Sequence, residues 1–82
     1  MKSVLYTRTA ATALRKHANR AKVVRSKIRQ YADDASSQAN NVKPLVGVDA
    51  KRLRVGDFRV IFTETADTVT VLDIGPRGGI YE

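Results

Sequence analysis

The run Arg52-Leu53-Arg54-Val55-Gly56-Asp57-Phe58-Arg59-Val60-Ile61-Phe62 reads as two β-strands joined by a two-residue turn. Glycine enters positive φ without steric cost, and aspartate tolerates it better than most residues. Gly-Asp between alternating apolar runs is therefore a hairpin signal with a primed turn. The turn sets the register: Val55 faces Phe58, Arg54 faces Arg59, Leu53 faces Val60 and Arg52 faces Ile61. Side chains alternate between faces along a strand, and opposed residues share a face. Leu53, Val55, Phe58 and Val60 form an apolar face, and Arg52, Arg54 and Arg59 lie on the other. Opposed like charges repel and cost stability. Two readings of that face stand: a solvated surface where long arginines splay apart, or a site for an anion.

Working outward, the second pairing is constrained by parity. Val60 must share its face with apolar residues of the last strand, Val69 to Ile74. A three-residue loop, Thr65-Ala66-Asp67, sets Val60 opposite Leu72, Phe58 opposite Ile74 and Arg59 opposite Asp73. A two-residue loop would set Val60 against Asp73 and bury a carboxylate, which is costly unless paired. The odd loop is expected, with Asp73 tethering Arg59. Gly75-Pro76-Arg77-Gly78-Gly79 is expected to break the strand.

Upstream, residues 2–7 read as a strand, because Val4 and Tyr6 alternate with Ser3, Leu5 and Thr7. Residues 8–18 read as an alanine-rich helix. Asn19 interrupts it and is expected to cap the next helix. Residues 20–35 carry Ala21, Val24, Ile28, Tyr31, Ala32 and Ala35 at helical spacing on one face. Residues 36–41 read as a polar loop, continued by Lys43-Pro44-Leu45-Val46-Gly47. The predicted order is β-α-α-β-β-β, an α+β domain spanning residues 1–82. A two-helix hairpin covers one face of a mainly antiparallel sheet and the other face stays open.

The chain has 82 residues, a formal net charge of +7 and a pI near 10.3. The charge is uneven: residues 1–43 carry +8 and residues 44–82 carry −1. Such a balance favours polyanionic partners. A chain of this size has a small core, so an open face or shallow groove is the expected form of any site. Without cysteine there is no thiolate or disulfide chemistry, which fits a cytoplasmic location. No apolar run approaches the ~20 residues of a membrane span. No Cys/His cluster has metal spacing, no cofactor motif is present, and His17 stands alone on the first helix, read as a surface residue.

What the sequence does offer is arginine. Arg52, Arg54 and Arg59 are joined by Arg77 beyond the last strand, with Tyr81 close behind. Arginine presents a planar fork that matches phosphate. Arginines converging on a phosphodiester stabilise its pentacovalent transition state, and in RNA the neighbouring 2′-hydroxyl supplies the nucleophile without a metal. Tyr81 is suited either to stacking on a base or to pinning the C-terminus.

Lys43-Pro44-Leu45-x-Gly47, the central block 52–62, Val71-Leu72-Asp73-Ile74-Gly75-x-Arg77 and the final Ile80-Tyr81 together resemble the RelE/ParE superfamily of bacterial type II toxins. The resemblance runs along the whole chain. It implies a toxin neutralised by a cognate antitoxin. In the RelE branch the toxin acts in the ribosome, where the 2′-hydroxyl of mRNA attacks the adjacent phosphate. In the ParE branch the target is DNA gyrase. By this resemblance Arg59 stabilises charge on the scissile phosphate, and Arg77 orients the substrate or assists the leaving oxygen. Tyr81 stacks on the base, and Arg52 is one of two basic residues before the hairpin. Arg54, Lys51 and Lys43 are further candidates for holding RNA phosphate. Ala50 stands where RelE-type nucleases often carry lysine, and Pro76 where many relatives place a basic residue or histidine. The partners implied are an antitoxin, ribosome and mRNA, with a toxin-antitoxin assembly on operator DNA. The alternatives are a gyrase-directed toxin and an antitoxin-binding, RNA-binding module without catalysis.

Overall fold

A computed structural model describes residues 2–76. The elements are β1 (Ser3–Tyr6), α1 (Arg8–Lys16), α2 (Ala18–Asp33), a 3₁₀ segment (Ala35–Asn41), β2 (Val42–Pro44), β3 (Lys51–Val55), β4 (Phe58–Glu64) and β5 (Thr68–Pro76). They build a five-stranded sheet in the order β1-β5-β4-β3-β2, with β1 parallel to β5 and the other pairs antiparallel.

The hairpin forms in the predicted register, Val55 opposite Phe58 and Arg54 opposite Arg59, with Gly56 at φ +57°. Leu53, Val55, Phe58, Val60 and Phe62 turn to the helices. There they meet Ala10 and Leu14 of α1 and Val24, Ile28, Tyr31 and Ala32 of α2. The apolar stripe read from α2 is thus the stripe that packs, except Ala35, which lies past the helix end and is exposed.

Four local expectations are corrected. The helices part at His17, whose φ/ψ of −111°/49° breaks the first helix, and Asn19 lies inside α2. Residues 36–41 fold as 3₁₀ turns pinned to α2: the buried Gln38 donates to Gln30 Oε1 at 2.9 Å and accepts from Asn41 Nδ2 at 3.2 Å. Lys43 and Pro44 belong to an edge strand rather than a loop, and an edge is where proline's missing N–H does least harm. Gly75 and Pro76 continue β5 opposite Arg59 and Phe58 instead of breaking it.

The pairing of β4 with β5 departs furthest. Near the turn Glu64 lies opposite Val69 and Phe62 opposite Val71, the register of an even turn. Past a shift between Ile61 and Phe62, Ile61 faces Asp73 and Val60 faces Ile74. Leu72 has no partner in β4 and is a bulge residue, one extra residue that restores parity. The parity requirement on Val60 is met, but by a bulge, and with Ile74 in place of Leu72. Arg59 therefore faces Gly75, and Asp73 accepts from its neighbour's amide, Ile74 N, at 2.8 Å. The expected Arg59–Asp73 tether is not formed.

Thr7 locks this irregularity to the helix layer. Its hydroxyl donates to the Leu72 carbonyl at 2.9 Å and accepts from Ala10 N at 3.1 Å, capping α1, while its own amide donates to Val71 O at 3.0 Å.

Candidate functional site

The sheet face away from the helices carries the candidate site. β2 sets Lys43 directly opposite Arg52, and β4 sets Arg59 directly opposite Arg54. Two like-charge pairs thus lie side by side on β2, β3 and β4. Together with Asn40, Asn41, Gly56, Asp57 and Phe58 they line a groove of about 430 Å³. Arg54 and Lys43 are exposed, and Arg52 and Arg59 are half-buried, with Nη1 of Arg59 shielded from solvent. Among the described residues Lys43, Arg52 and Arg54 make no ion pair with any carboxylate.

A concave wall lined by one sign of charge concentrates counter-ions. Guanidinium forks on neighbouring strands can donate in parallel to the oxygens of one phosphodiester. Among the described residues that line the groove, four cations face the single carboxylate of Asp57. The repulsion within each opposed pair is relieved when an anion sits between its members.

The structure brings together Lys43, Arg52, Arg54 and Arg59. It does not bring Lys51 to them. Lys51 pairs with Phe62 and points to the helix side of the sheet, where its Nζ donates to Glu64 Oε1 at 2.7 Å. Arg77 and Tyr81 lie outside the described residues. Sequence reasoning missed Asn40 and Asn41. Their place on the groove wall depends on the 3₁₀ segment held by Gln38, and no periodicity announced it.

On the opposite side of the molecule Glu64 gathers three donors: Lys2 Nζ to Oε2 at 2.6 Å, and Lys51 Nζ at 2.7 Å with the Tyr31 hydroxyl to Oε1. Burial opposes its ionisation, but the hydrogen bonds from Lys2, Lys51 and Tyr31 outweigh that and bring its pKa down to about 2. Burial first, and then the Glu64 hydrogen bond, raise the Tyr31 pKa. The Glu64 hydrogen bond raises that of Lys51. All these partners are satisfied within the fold, so the cluster is a structural clamp. His17 is not a free surface group: its ring packs T-shaped against that of Phe58, 4.9 Å between centroids.

No helix among the described residues is long and apolar enough to cross a membrane.

Solved structures share this architecture. The archaeal RelE–RelB complex from Pyrococcus horikoshii OT3 contains a chain 21% identical over 96% of this chain and 98% of its own, with a TM-score of 0.76. The toxin–antitoxin complex RelBE2 from Mycobacterium tuberculosis matches at 23% identity and TM-score 0.68, over 93% of this chain and 98% of its own. YafQ from E. coli matches at 12% identity and TM-score 0.65 over the full length of both chains. At these identities the likeness is one of fold. A comparison with curated proteins finds no match. The family model for the ParE toxin of type II toxin-antitoxin systems, by contrast, matches residues 4–81. That span takes in both helices and all of the sheet but Ser3, with its cationic groove, so the chain belongs to the ParE toxin family and is the toxin of a type II toxin-antitoxin system.

Proposed function

We propose that this toxin inhibits translation by cleaving mRNA in the ribosome, and that the groove of Lys43, Arg52, Arg54 and Arg59 holds the RNA backbone. The observation that carries this reading is two opposed pairs of cations, Lys43 with Arg52 and Arg54 with Arg59, along one groove. In the reaction the 2′-oxygen bonds to the adjacent phosphorus while the bond from phosphorus to the 5′-oxygen breaks. The 2′-hydroxyl gives up its proton to a base and the 5′-oxygen takes one, leaving a 2′,3′-cyclic phosphate and a 5′-hydroxyl. Arg59 and Arg52 stabilise the charge that develops on the phosphoryl oxygens. Arg54 and Lys43 hold flanking phosphates. Arg77 is assigned to the leaving oxygen, and Tyr81 to base stacking and proton transfer. Lys51, fixed on the other face by Glu64, is given no phosphate in this scheme.

A cognate antitoxin is the proposed protein partner, binding in the cytoplasm, with the toxin–antitoxin complex assembling on operator DNA. The relatives from Pyrococcus horikoshii and Mycobacterium tuberculosis are both seen in complex with their antitoxins.

The test is induction without antitoxin, followed by mapping of new 5′ ends on cellular mRNA. Cuts within reading frames that vanish when translation initiation is blocked are expected. Growth inhibition without such cuts would overturn the reading. A second reading, a toxin directed at DNA gyrase, is favoured by the ParE family match and by Ala50 at the position of a common nuclease lysine. Loss of plasmid supercoiling while protein synthesis continues would select it.

A further inference from the structure

The cationic groove reaches the hairpin turn. Phe58 and Gly56 line it, and the same two residues line a notch of about 50 Å³ on the helix side, completed by Arg20, Val23, Val24 and Val55. Arg20 projects from the first turns of α2 toward this corner. Its guanidinium lies over the Phe58 ring at 5.9 Å from the centroid. Its Nη2 sits 3.8 Å from where a Cβ at Gly56 would stand. Stacking on the ring face leaves the guanidinium N–H groups at its edge free to bind an anion.

Arg20 is exposed and makes no ion pair among the described residues. Other cations of α2 are engaged elsewhere: Arg25 lies over Tyr6 at 5.8 Å, and Arg29 binds Asp33 and the Lys2 carbonyl. Arg20 is therefore the α2 cation that stands at the turn closing the Arg54–Arg59 pair, held there by a buried ring that also forms part of the groove wall. Gly56, without a side chain, lies at the turn between the two sides.

We propose that the phosphate track continues around the Gly56–Asp57 turn, and that Arg20 binds a further phosphate of the RNA strand held by Lys43, Arg52, Arg54 and Arg59. This rests on the RNA-binding reading above.

The experiment is anisotropy of a fluorescent 2′-O-methyl RNA ten-mer, which binds without being cut, titrated against the full chain across a range of salt. For single strands the slope of log affinity on log salt falls by about 0.7 for each phosphate that is no longer neutralised. Arg20→Gln, which keeps the stem on Phe58, and Arg20→Ala are each expected to lower the slope by that amount. They should also weaken binding about three- to fivefold at ~0.1 M salt, the scale of an exposed charge pair. Arg20→Lys is expected to restore the slope. Lys22→Ala, about 200° further round the helix, is expected to change neither.

If Arg52→Ala lowers the slope but both Arg20 variants keep the wild-type slope and affinity, the proposed extension is wrong and the RNA reading stands. That includes the case in which Arg20→Gln weakens only antitoxin binding. If the wild-type chain does not bind the RNA, or Arg52→Ala binds as well as wild type, the RNA reading itself falls and takes the extension with it.

Discussion

Arg54 and Arg59 face each other across a two-residue turn, and the physics of that pair cuts two ways. In the unbound protein the opposition costs a few tenths of a kcal/mol to about 1 kcal/mol. Arg54→Gln removes the repulsion while keeping a long polar side chain on an exposed strand position. It is expected to raise the melting temperature by a few degrees while weakening binding of polyanions, seen as earlier elution from heparin. A mutation that stabilises the fold and impairs binding marks a residue kept for its ligand rather than for the sheet. Unchanged heparin retention would argue for a merely solvated face. Arg59→Ala is expected to relieve growth inhibition in a chain that still folds, checked by circular dichroism alongside the growth assay. Gly56 is the other residue whose chemistry is dictated locally. At φ +57° it sits where a Cβ costs about 1–2 kcal/mol, so Gly56→Ala is expected to lower the urea midpoint accordingly.

At the scale of elements, the join between α1 and the bulge in β5 carries more than a cap. The Thr7 hydroxyl serves both the first turn of α1 and the carbonyl of Leu72, the residue left without a partner in β4. Thr7→Ala removes both hydrogen bonds at once. It is expected to cost about 1–2 kcal/mol in denaturant unfolding, with Thr7→Ser recovering most of the loss. The bulge was illegible in the sequence because parity alone accepts two solutions, an odd loop or an even turn plus one extra residue. Choosing between them requires knowing that Thr7 can satisfy the extra carbonyl, a contact across 65 positions of chain. The same holds for β2. Lys43 and Pro44 look like loop in isolation, since proline removes a donor. They become a strand because β3 offers them an edge to pair with.

For the molecule as a whole, Glu64 ties the N-terminal segment, α2 and β3 together through Lys2, Tyr31 and Lys51. Its pKa falls from 4.5 to about 2 on folding. A depressed carboxylate contributes stability that is fully present above its unfolded pKa and lost as pH drops through its folded value. The contribution therefore fades between about pH 4.5 and pH 2, and is on the order of 3 kcal/mol at neutral pH. Glu64→Gln is expected to lose that stability at pH 7 and to show a flatter stability profile between pH 4.5 and 2 than the wild type. Parallel profiles in urea titrations across that range would contradict the clamp. The charge on the open face has a different whole-molecule effect, drawing polyanions to one side of the sheet.

The sequence by itself determined the hairpin, its register, the apolar stripe of α2 and the presence of Arg52, Arg54 and Arg59 on one face. These follow from interactions between near neighbours: a glycine that accepts positive φ, and the two-residue and 3.6-residue periods of strand and helix. Only the tertiary structure decided which other groups join them. Lys43 enters the groove because a three-residue edge strand sets it against Arg52. Glu64 receives Lys51 on the far face, to which strand alternation in the predicted register already turned it. Arg20 reaches the turn because α2 lays its first turns over Phe58. Those placements depend on how distant segments pack against one another, and periodicity within a segment carries no information about them.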